Sequence, residues 1–216
     1  MSIKLAEATI DRQDMDDLAK WIQTYPRLTK GPLTLEFEDK WSTFLGVRFS
    51  TFVNSGSSAN LLMLATLIEA GDLKQGDSVI VPALSWATDL APILQLGLTP
   101  ILCDCNMTDF SLDLDHLEEL LDEGVKYAPS GLPIRKRAKA VILVPVLGFV
   151  PDMEKVLSIC NRHKVILLED CCESLGSEYK GQYVQYFNEY SKPWLGQRYG
   201  QRESIFFERV LGSIRV

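Results

Sequence analysis

The amino-acid sequence predicts an α/β fold in which a mostly parallel central sheet lies between two layers of helices. Short apolar runs alternate along the chain with longer stretches whose apolar residues recur at helical spacing. The short runs are apolar throughout, which is typical of strands that are covered on both faces of a parallel sheet. With 216 residues, the chain is long enough for one domain with a full-sized core, or for one domain and part of another.

The predicted elements follow one another in a regular order. Two helices at 11–25 and 34–45 are separated by a loop that contains proline and glycine, and a short strand follows at 50–53. Next come a helix at 58–70, a strand at 77–82, a helix at 88–96, a strand at 99–105 and a helix at 114–121. A polar loop at 122–137 precedes a strand at 140–146, a helix at 152–163 and a strand at 165–168. Helices between successive strands are the connections that parallel strands need.

This regular alternation ends near residue 182. Residues 183–216 contain five lysines and arginines but only three acidic residues, whereas the whole chain has a net charge of −7. The change of charge and the loss of periodicity predict a boundary at this point. We therefore divide the chain into a domain at 1–182 and a divergent basic tail at 183–216, to which no domain is assigned.

The composition argues against several classes of function. An acidic chain is poorly suited to nonspecific binding of nucleic acid or of an anionic membrane surface. No apolar run reaches the roughly 18 residues of a membrane-spanning helix, and the N-terminus lacks the apolar core of a secretory signal. We expect a cytoplasmic protein with neither nucleic acid nor membrane as a partner.

Five cysteines are present, and we expect them to be reduced thiols in or near the core. Their number is odd and most of their neighbours are apolar. Cys103 and Cys105 form one close pair, and Cys171 and Cys172 form another. Neither pair has the C-x-x-C spacing of a zinc knuckle, so no metal site is predicted.

The segment Asn54-Ser55-Gly56-Ser57-Ser58-Ala59-Asn60 lies between a predicted strand and a predicted helix. Unpaired backbone N–H groups at a helix N-terminus, together with the helix dipole, favour binding of an anion. Gly56 allows close approach of a phosphate, and Ser57 and Ser58 add hydroxyl groups. The alternative is an ordinary N-cap loop, since serine and asparagine are favoured there in any case.

Asp170 and Trp86 each follow an apolar predicted strand. Ligands of open α/β sheets bind at the carboxyl ends of the strands, so both residues are candidates for a binding site. A carboxylate there could pair with the ring nitrogen of pyridoxal phosphate, and a flat indole could stack on an aromatic cofactor. The alternatives are that Asp170 caps the next turn and that Trp86 packs in the core.

Several motifs in a fixed order support a more specific interpretation. They are Gly31-Pro32-Leu33-Thr34 with Phe37-Glu38, the segment 54–60, Gly76-Asp77-Ser78-Val79-Ile80-Val81-Pro82, Ser85-Trp86-Ala87-Thr88 and Glu169-Asp170-Cys171-Cys172-Glu173-Ser174-Leu175-Gly176. With these motifs, the chain from about 31 to 181 resembles the DegT/StrS family of pyridoxal-phosphate-dependent nucleotide-sugar aminotransferases. Each motif alone is weak, but their order over this length is specific.

The resemblance implies a three-layer fold-type-I aminotransferase large domain that is incomplete at its C-terminus. It implies pyridoxal 5'-phosphate or pyridoxamine 5'-phosphate as the cofactor, held at its phosphate by Gly56, Ser57 and Ser58. Trp86 would stack on the ring, Asp170 would bind the ring nitrogen, and Glu173 would lie one helical turn further on at the rim. Glu173 together with Ser85-Trp86 is more similar to the deoxysugar 3-dehydratase branch, which uses histidine in place of the Schiff-base lysine.

The chain departs from the family where the catalytic lysine or histidine is expected, close to Tyr199. The sequence there is Leu195-Gly196-Gln197-Arg198-Tyr199-Gly200-Gln201-Arg202, which contains none of the family's motifs. Lys180 and Lys192 lack the family context, and His116 and His163 lie upstream in predicted helices. We assign no catalytic residue, expect a truncated or frame-shifted chain, and predict that it does not complete a catalytic cycle.

Three functions remain open at this point. The first is a sugar aminotransferase or deoxysugar 3-dehydratase homologue, acting on nucleotide-linked 4-keto sugars in lipopolysaccharide or cell-surface polysaccharide biosynthesis and forming a homodimer when intact. The second is a non-catalytic fragment that at most binds cofactor or a partner subunit. The third is a generic nucleotide-binding domain, although no G-x-G-x-x-G follows the first strand. The sequence does not distinguish amino transfer from dehydration, nor does it identify the sugar.

Overall fold

A computed structural model describes residues 10–47, 49–123 and 137–184 of the chain. The basic tail from residue 185 onward lies outside the described residues, as does most of the polar loop predicted at 122–137.

Four strands form one parallel sheet. They are β1 (Ser78–Pro82), β2 (Thr99–Cys103), β3 (Ala138–Leu143) and β4 (Ile166–Glu169). Their order across the sheet is β2-β1-β3-β4, and every neighbouring pair is parallel. All five residues of β1 are buried, as expected for a central strand covered on both faces. The predicted parallel sheet is confirmed.

Six α-helices are described, and each overlaps a helix predicted from the sequence. They are α1 (Arg12–Ile22), α2 (Pro32–Leu45), α3 (Gly56–Glu69), α4 (Ala87–Gln95), α5 (Leu114–Glu123) and α6 (Met153–His163). A short 3-10 helix at Val146–Gly148 follows β3. A small antiparallel hairpin, β5 (Glu178–Tyr179) with β6 (Gln182–Tyr183), follows β4 and was not predicted.

The core has two halves, one on each face of the sheet. On one face, Met63 and Leu64 of α3 and Ile93 of α4 pack against the strands. On the other face, Leu117 of α5 and Val156 of α6 do so. Successive strand residues contribute to opposite halves, as the pleat of a strand requires. The three-layer arrangement predicted from the sequence is therefore present.

The strand order creates a switch point beside β1. Helix α4 connects β1 to β2, which lies beside β1 at the edge of the sheet. Helix α5 then connects β2 to β3 on the other side of β1, and α6 connects β3 to β4 in the same direction. Because parallel crossovers are right-handed, connections running in opposite directions lie on opposite faces of the sheet. The carboxyl ends of β1 and β3 consequently flank a crevice of the type in which open α/β sheets bind their ligands.

The predicted strand at 50–53 is wrong. The segment has no strand neighbour in the described structure, and its contacts are with α2 instead. The backbone N–H of Phe52 donates to Glu38 Oε1 at 2.9 Å, and the Phe52 ring meets the Phe37 ring edge to face at 5.5 Å. A side-chain carboxylate thus accepts a hydrogen bond that a neighbouring strand would otherwise accept.

Candidate functional site

The crevice at the carboxyl ends of the strands brings together two acidic side chains. Asp170 directly follows β4, and its backbone N–H donates to the carbonyl oxygen of Leu143 at the end of β3, at 2.9 Å. Asp89 lies in the first turn of α4, shortly after β1. The side chains of Asp170 and Asp89 are separated by 81 positions in the chain, yet both face the same buried amide.

That amide belongs to Asn60, in the second turn of α3. Its Nδ2 atom donates to Asp170 Oδ2 at 2.8 Å and to Asp89 Oδ1 at 2.9 Å. Asn60 is 4% exposed, Asp170 7% and Asp89 1%. We call these three residues the Asn60 clamp, because one amide group joins the start of α3, the start of α4 and the end of β4.

Further hydrogen bonds complete the clamp. The Ser85 hydroxyl donates to Asp89 Oδ2, and the Cys172 backbone N–H donates to Asp170 Oδ1 at 3.0 Å. Buried carboxyl groups need such donors because burial removes the water that would solvate them. Each oxygen of the two carboxyl groups therefore has at least one donor.

The two carboxyl groups differ in their protonation. Burial, together with the nearby negative charge of Asp170, raises the pKa of Asp89 to about 7. Burial also opposes ionisation of Asp170, but hydrogen bonds from Asp89, Asn60 and Cys172 outweigh this effect and hold the pKa of Asp170 below its usual value. The pair therefore carries one proton below pH 7, held on Asp89, and Asp170 remains a carboxylate.

The predicted phosphate segment forms the start of α3. Ser55 is the N-cap residue, and its side chain accepts a hydrogen bond from the Ser58 backbone N–H at 3.2 Å. The amides of Gly56 and Ser57 precede this bond and have no intrahelical acceptor, because the first turn of a helix has none. Gly56 lies four residues before Asn60, so the helix rise places it about 6 Å from the clamp along the axis.

Trp86 lies at the start of α4. It is the N-cap residue of α4, and its carbonyl oxygen accepts a hydrogen bond from the Asp89 backbone N–H at 3.0 Å. Its side chain is 72% exposed, so packing in the core is excluded for the residue in this chain. Trp86 and the clamp are thus joined through a single turn of backbone.

Glu173 lies in a turn that directly follows Asp170. The backbone N–H of Ser174 donates to the carbonyl oxygen of Cys171, which closes a turn directly after Asp170. The Glu173 side chain is directed to the loop after β3, where Oε2 accepts a hydrogen bond from the Leu147 backbone N–H at 2.8 Å. Glu173 is exposed and follows Asp170 by three residues. Its place at the rim of the cofactor site stays a prediction.

Sequence reasoning missed the roles of Asn60 and Asp89. Asn60 stands in the sequence only as the last residue of the segment 54–60, and Asp89 belongs to none of the motifs. The available signal was a polar residue on a helix that is otherwise strongly apolar, as Asn60 is on α3. For Asp89, the signal was an acidic residue in the first turn of a helix that follows a buried strand.

Lys180, His116 and His163, the candidate bases of the sequence analysis that the structure describes, have contacts or positions away from the Asn60 clamp. Lys180 Nζ donates to Glu154 on α6 at 2.5 Å, and His116 Nδ1 accepts a hydrogen bond from the Asp104 backbone N–H at 3.1 Å. His163 lies on α6, on the face of the sheet opposite α3 and α4. Lys192 and Tyr199 lie outside the described residues.

His163 also belongs to an acidic cluster between α5 and α6. The possible ligand atoms of Glu118, Asp122 and His163 lie within 4.8 Å of one another. Glu118 is paired with Arg162, and His163 Nε2 lies 3.7 Å from Asp122 Oδ1, so contacts among these side chains account for the cluster.

The five cysteines form no disulfide. Cys103, Cys160 and Cys171 are buried, Cys105 is half-buried and Cys172 is exposed. Burial raises the pKa of both Cys103 and Cys160 to about 12, so these two thiols stay protonated near neutral pH.

With this geometry in place, the comparison with known proteins is direct. Residues 9–192 match the DegT/DnrJ/EryC1/StrS aminotransferase family. The chain belongs to this family. The predicted resemblance is confirmed, and the match covers the whole α/β domain as well as the Asn60 clamp.

Relatives in this family include enzymes of deoxysugar metabolism. The chain is 31% identical to a GDP-4-keto-6-deoxy-D-mannose 3-dehydratase of Yersinia pseudotuberculosis, over 84% of this chain and 43% of that protein. It is 28% identical to a GDP-perosamine synthase of Caulobacter vibrioides, over 83% of this chain and 44% of that protein. The chain therefore spans less than half the length of the curated relatives it matches.

Solved structures of the family have the same fold. An Escherichia coli GDP-4-keto-6-deoxy-D-mannose 3-dehydratase with bound hydrated PLP superimposes with a TM-score of 0.72 at 29% identity. This match covers 84% of the present chain and 43% of the solved chain. The described part of the DegT/DnrJ/EryC1/StrS chain is thus an α/β domain of the fold-type-I class, as predicted. None of its described helices is both long and apolar enough to cross a membrane.

The pKa of Asp89 predicts how stability depends on pH. The folded state keeps a proton on Asp89 up to about pH 7, whereas the unfolded chain loses it near pH 4. The free energy of unfolding should therefore fall as the pH rises through this interval, by at most about 1.4 kcal/mol per pH unit for one proton. Asp170 acts in the opposite sense: because its pKa is lowered in the folded state, its ionisation stabilises the fold, and this stabilisation is lost as the pH falls. This loss occurs at pH values below the interval in which Asp89 acts.

Urea unfolding at several pH values between 5 and 8 tests this dependence on Asp89. In Asp89→Asn, the free energy of unfolding should no longer fall through the loss of the Asp89 proton. This variant should therefore be more stable than the natural chain at pH 8. Asp16→Asn, a change at an exposed position of α1, is the matched control and should retain the natural slope. Equal slopes for the natural chain and Asp89→Asn would show that Asp89 does not hold this proton.

Proposed function

We propose that this chain provides the cofactor-binding half of a pyridoxal-phosphate-dependent enzyme that acts on a nucleotide-linked 4-keto sugar. The reaction is amino transfer or dehydration at the sugar ring, in the biosynthesis of lipopolysaccharide or another cell-surface polysaccharide. When bound, pyridoxal 5'-phosphate or pyridoxamine 5'-phosphate supplies an electron sink for chemistry next to the sugar carbonyl. Family membership and the Asn60 clamp support this proposal.

The observation that carries the proposal is the ionised Asp170 in the crevice. Its carboxylate is held by Asn60 and by the Cys172 backbone, and it keeps a negative charge although it is 7% exposed. A buried anion of this kind fits a pyridine ring that carries a proton on its nitrogen. Each carboxylate oxygen has two lone pairs, so Asp170 can accept a further hydrogen bond from such a ring.

The other end of the cofactor fits the start of α3. A phosphate group there would meet the backbone amides of Gly56 and Ser57, the Ser58 side chain and the positive end of the helix dipole. Trp86 supplies an exposed aromatic face beside the same crevice. We propose that these residues hold the phosphate and stack on the ring, with Glu173 at the rim.

The relatives favour a nucleotide-linked deoxysugar as the substrate. Three of them are a GDP-4-keto-6-deoxy-D-mannose 3-dehydratase, a GDP-perosamine synthase and the lipopolysaccharide biosynthesis protein RfbH of Salmonella typhimurium, which is 33% identical over 75% of this chain. The dehydratase branch is also the one that Glu173 and Ser85-Trp86 resemble. We therefore propose dehydration as the first choice of reaction and amino transfer as the second.

A homodimer is part of the proposal. Helix α1 buries none of its residues, and Met15, Leu18 and Ile22 on its apolar stripe are exposed. A second copy of the chain could cover this stripe and could add groups to the crevice. The competing proposal is a non-catalytic chain that only binds cofactor or a partner subunit.

Cofactor binding tests the proposed site. Asp170→Ala should weaken binding of pyridoxamine 5'-phosphate by about 10- to 100-fold, because a charge-assisted hydrogen bond contributes about 1.5–3 kcal/mol. Fluorescence quenching or calorimetry measures the affinity. Asp16→Ala on α1 is the control and should bind like the natural chain. Absence of binding by the natural chain, or equal binding by Asp170→Ala, would contradict the proposal.

Turnover tests whether residues 1–216 contain a catalytic lysine of their own. The polypeptide of residues 1–216 should give no product from a nucleotide-linked 4-keto-6-deoxy sugar, supplied with pyridoxal phosphate and glutamate or with pyridoxamine phosphate. The reason is that the chemistry needs a lysine or histidine at the cofactor, and Lys180 is engaged with Glu154 in the described structure. Chromatography of the nucleotide sugars measures the product. Product formation that is lost in Lys180→Ala or Lys192→Ala would show that the chain has its own catalytic lysine.

A further inference from the structure

Asp89 is almost completely buried next to the proposed partner of the cofactor ring. Its side chain is 1% exposed, and Asp170, not Asp89, is the residue expected to meet the ring. Burial of a second carboxyl group at this point costs free energy that a neutral side chain would not cost. The contacts of Asp89 indicate what this group does.

Asn60 forces the two carboxyl groups close together. Its Nδ2 atom has two hydrogens, and these point to Asp89 Oδ1 at 2.9 Å and Asp170 Oδ2 at 2.8 Å. These two oxygens are thus separated by less than two hydrogen-bond lengths. The two carboxyl groups are also hydrogen-bonded to each other, which requires a proton on one of them, so the pair shares one proton.

The hydrogen-bond donors and the charges around Asp89 and Asp170 determine which of the two carboxyl groups keeps the proton. Asp170 receives hydrogen bonds from Asn60 and the Cys172 backbone, whereas Asp89 receives them from Asn60 and Ser85. Within the part of the chain that the structure describes, the titratable group that interacts with the pair of carboxyl groups is the Cys172 thiol, whose pKa is raised by partial desolvation and by the charge of Asp170. Asn60 and Ser85 are neutral, so the charge of this buried region is set by the shared proton.

Resting on the proposed function, we propose that Asp89 is a positioning residue for the cofactor, which holds Asp170 in place through the Asn60 amide and releases the shared proton when the cofactor binds. The O–H bond of Asp89 breaks, its electron pair stays on the carboxylate, and the buffer accepts the proton. The driving force is electrostatic, because a positive ring beside Asp170 offsets the repulsion that keeps Asp89 neutral.

The proposal predicts a proton release that depends on Asp89. Calorimetry of pyridoxamine 5'-phosphate binding at pH 6.5, in two buffers with different ionisation enthalpies, counts the protons released. The natural chain should release up to one proton more than Asp89→Asn. Over the pH range below 7, its affinity relative to Asp89→Asn should also rise, by at most about tenfold per pH unit for one linked proton. The same cofactor and the same two buffers are used for both proteins, so the difference in proton release measures the effect of Asp89.

Two variants of Asp89 separate its positioning of Asp170 from its release of the shared proton. Asp89→Asn keeps the shape and can still donate a hydrogen bond to Asp170, so its affinity at pH 6 should stay within about threefold of the natural value. Asp89→Ala removes the contact and should weaken binding by about tenfold, the effect of one lost hydrogen bond next to a charge. A thermal melt of each variant verifies that it is folded.

The outcomes separate this inference from the proposed function. Equal proton release by the natural chain and Asp89→Asn, with binding intact, would overturn the inference and leave the proposed function standing. Natural affinity in a folded Asp89→Ala protein would also overturn it. Absence of cofactor binding by the natural chain would overturn both the proposed function and the role of Asp89.

Discussion

One buried amide group fixes the geometry on which the crevice depends. Asn60 Nδ2 is within hydrogen-bond distance of Asp89 and Asp170, and these residues belong to three separate elements around the carboxyl ends of the strands. A shift of α3, α4 or the end of β4 would leave a buried carboxyl group without its donor, at a cost of about 1–3 kcal/mol or more for each group. The polar contacts therefore define the relative positions of elements that apolar packing alone would hold less specifically.

The clamp also connects the fold to the proposed chemistry. The strand order β2-β1-β3-β4 creates a switch point beside β1, and the clamp residues lie near the carboxyl ends of these strands. From the clamp, α3 leads back one turn to the proposed phosphate residues, and α4 leads back one turn to Trp86. The clamp thus sets the spacing between the proposed anion site, the proposed aromatic face and the Asp170 carboxylate.

The sequence predicted those features that depend on local pattern. Strands β1 to β4 are buried on both faces and are therefore apolar throughout. The helices are buried on one face, so their apolar residues recur at helical spacing, and the two patterns are easily told apart. The strand predicted at 50–53 failed because a side chain, Glu38, accepts the Phe52 N–H that a neighbouring strand would otherwise bind. Asp170 was found from its place after a strand, but its contacts with Asn60 and Asp89 were not. Asn60 meets residues 29 and 110 positions away, and no local pattern encodes such contacts.

The most direct test is a crystal structure of the chain with pyridoxamine 5'-phosphate. The account predicts the phosphate at the amides of Gly56 and Ser57, the ring against Trp86, and the ring nitrogen within hydrogen-bond distance of Asp170. The Asn60 amide should still join Asp170 to Asp89 in that complex. A cofactor bound away from the start of α3, or a ring nitrogen that does not contact Asp170, would contradict the account.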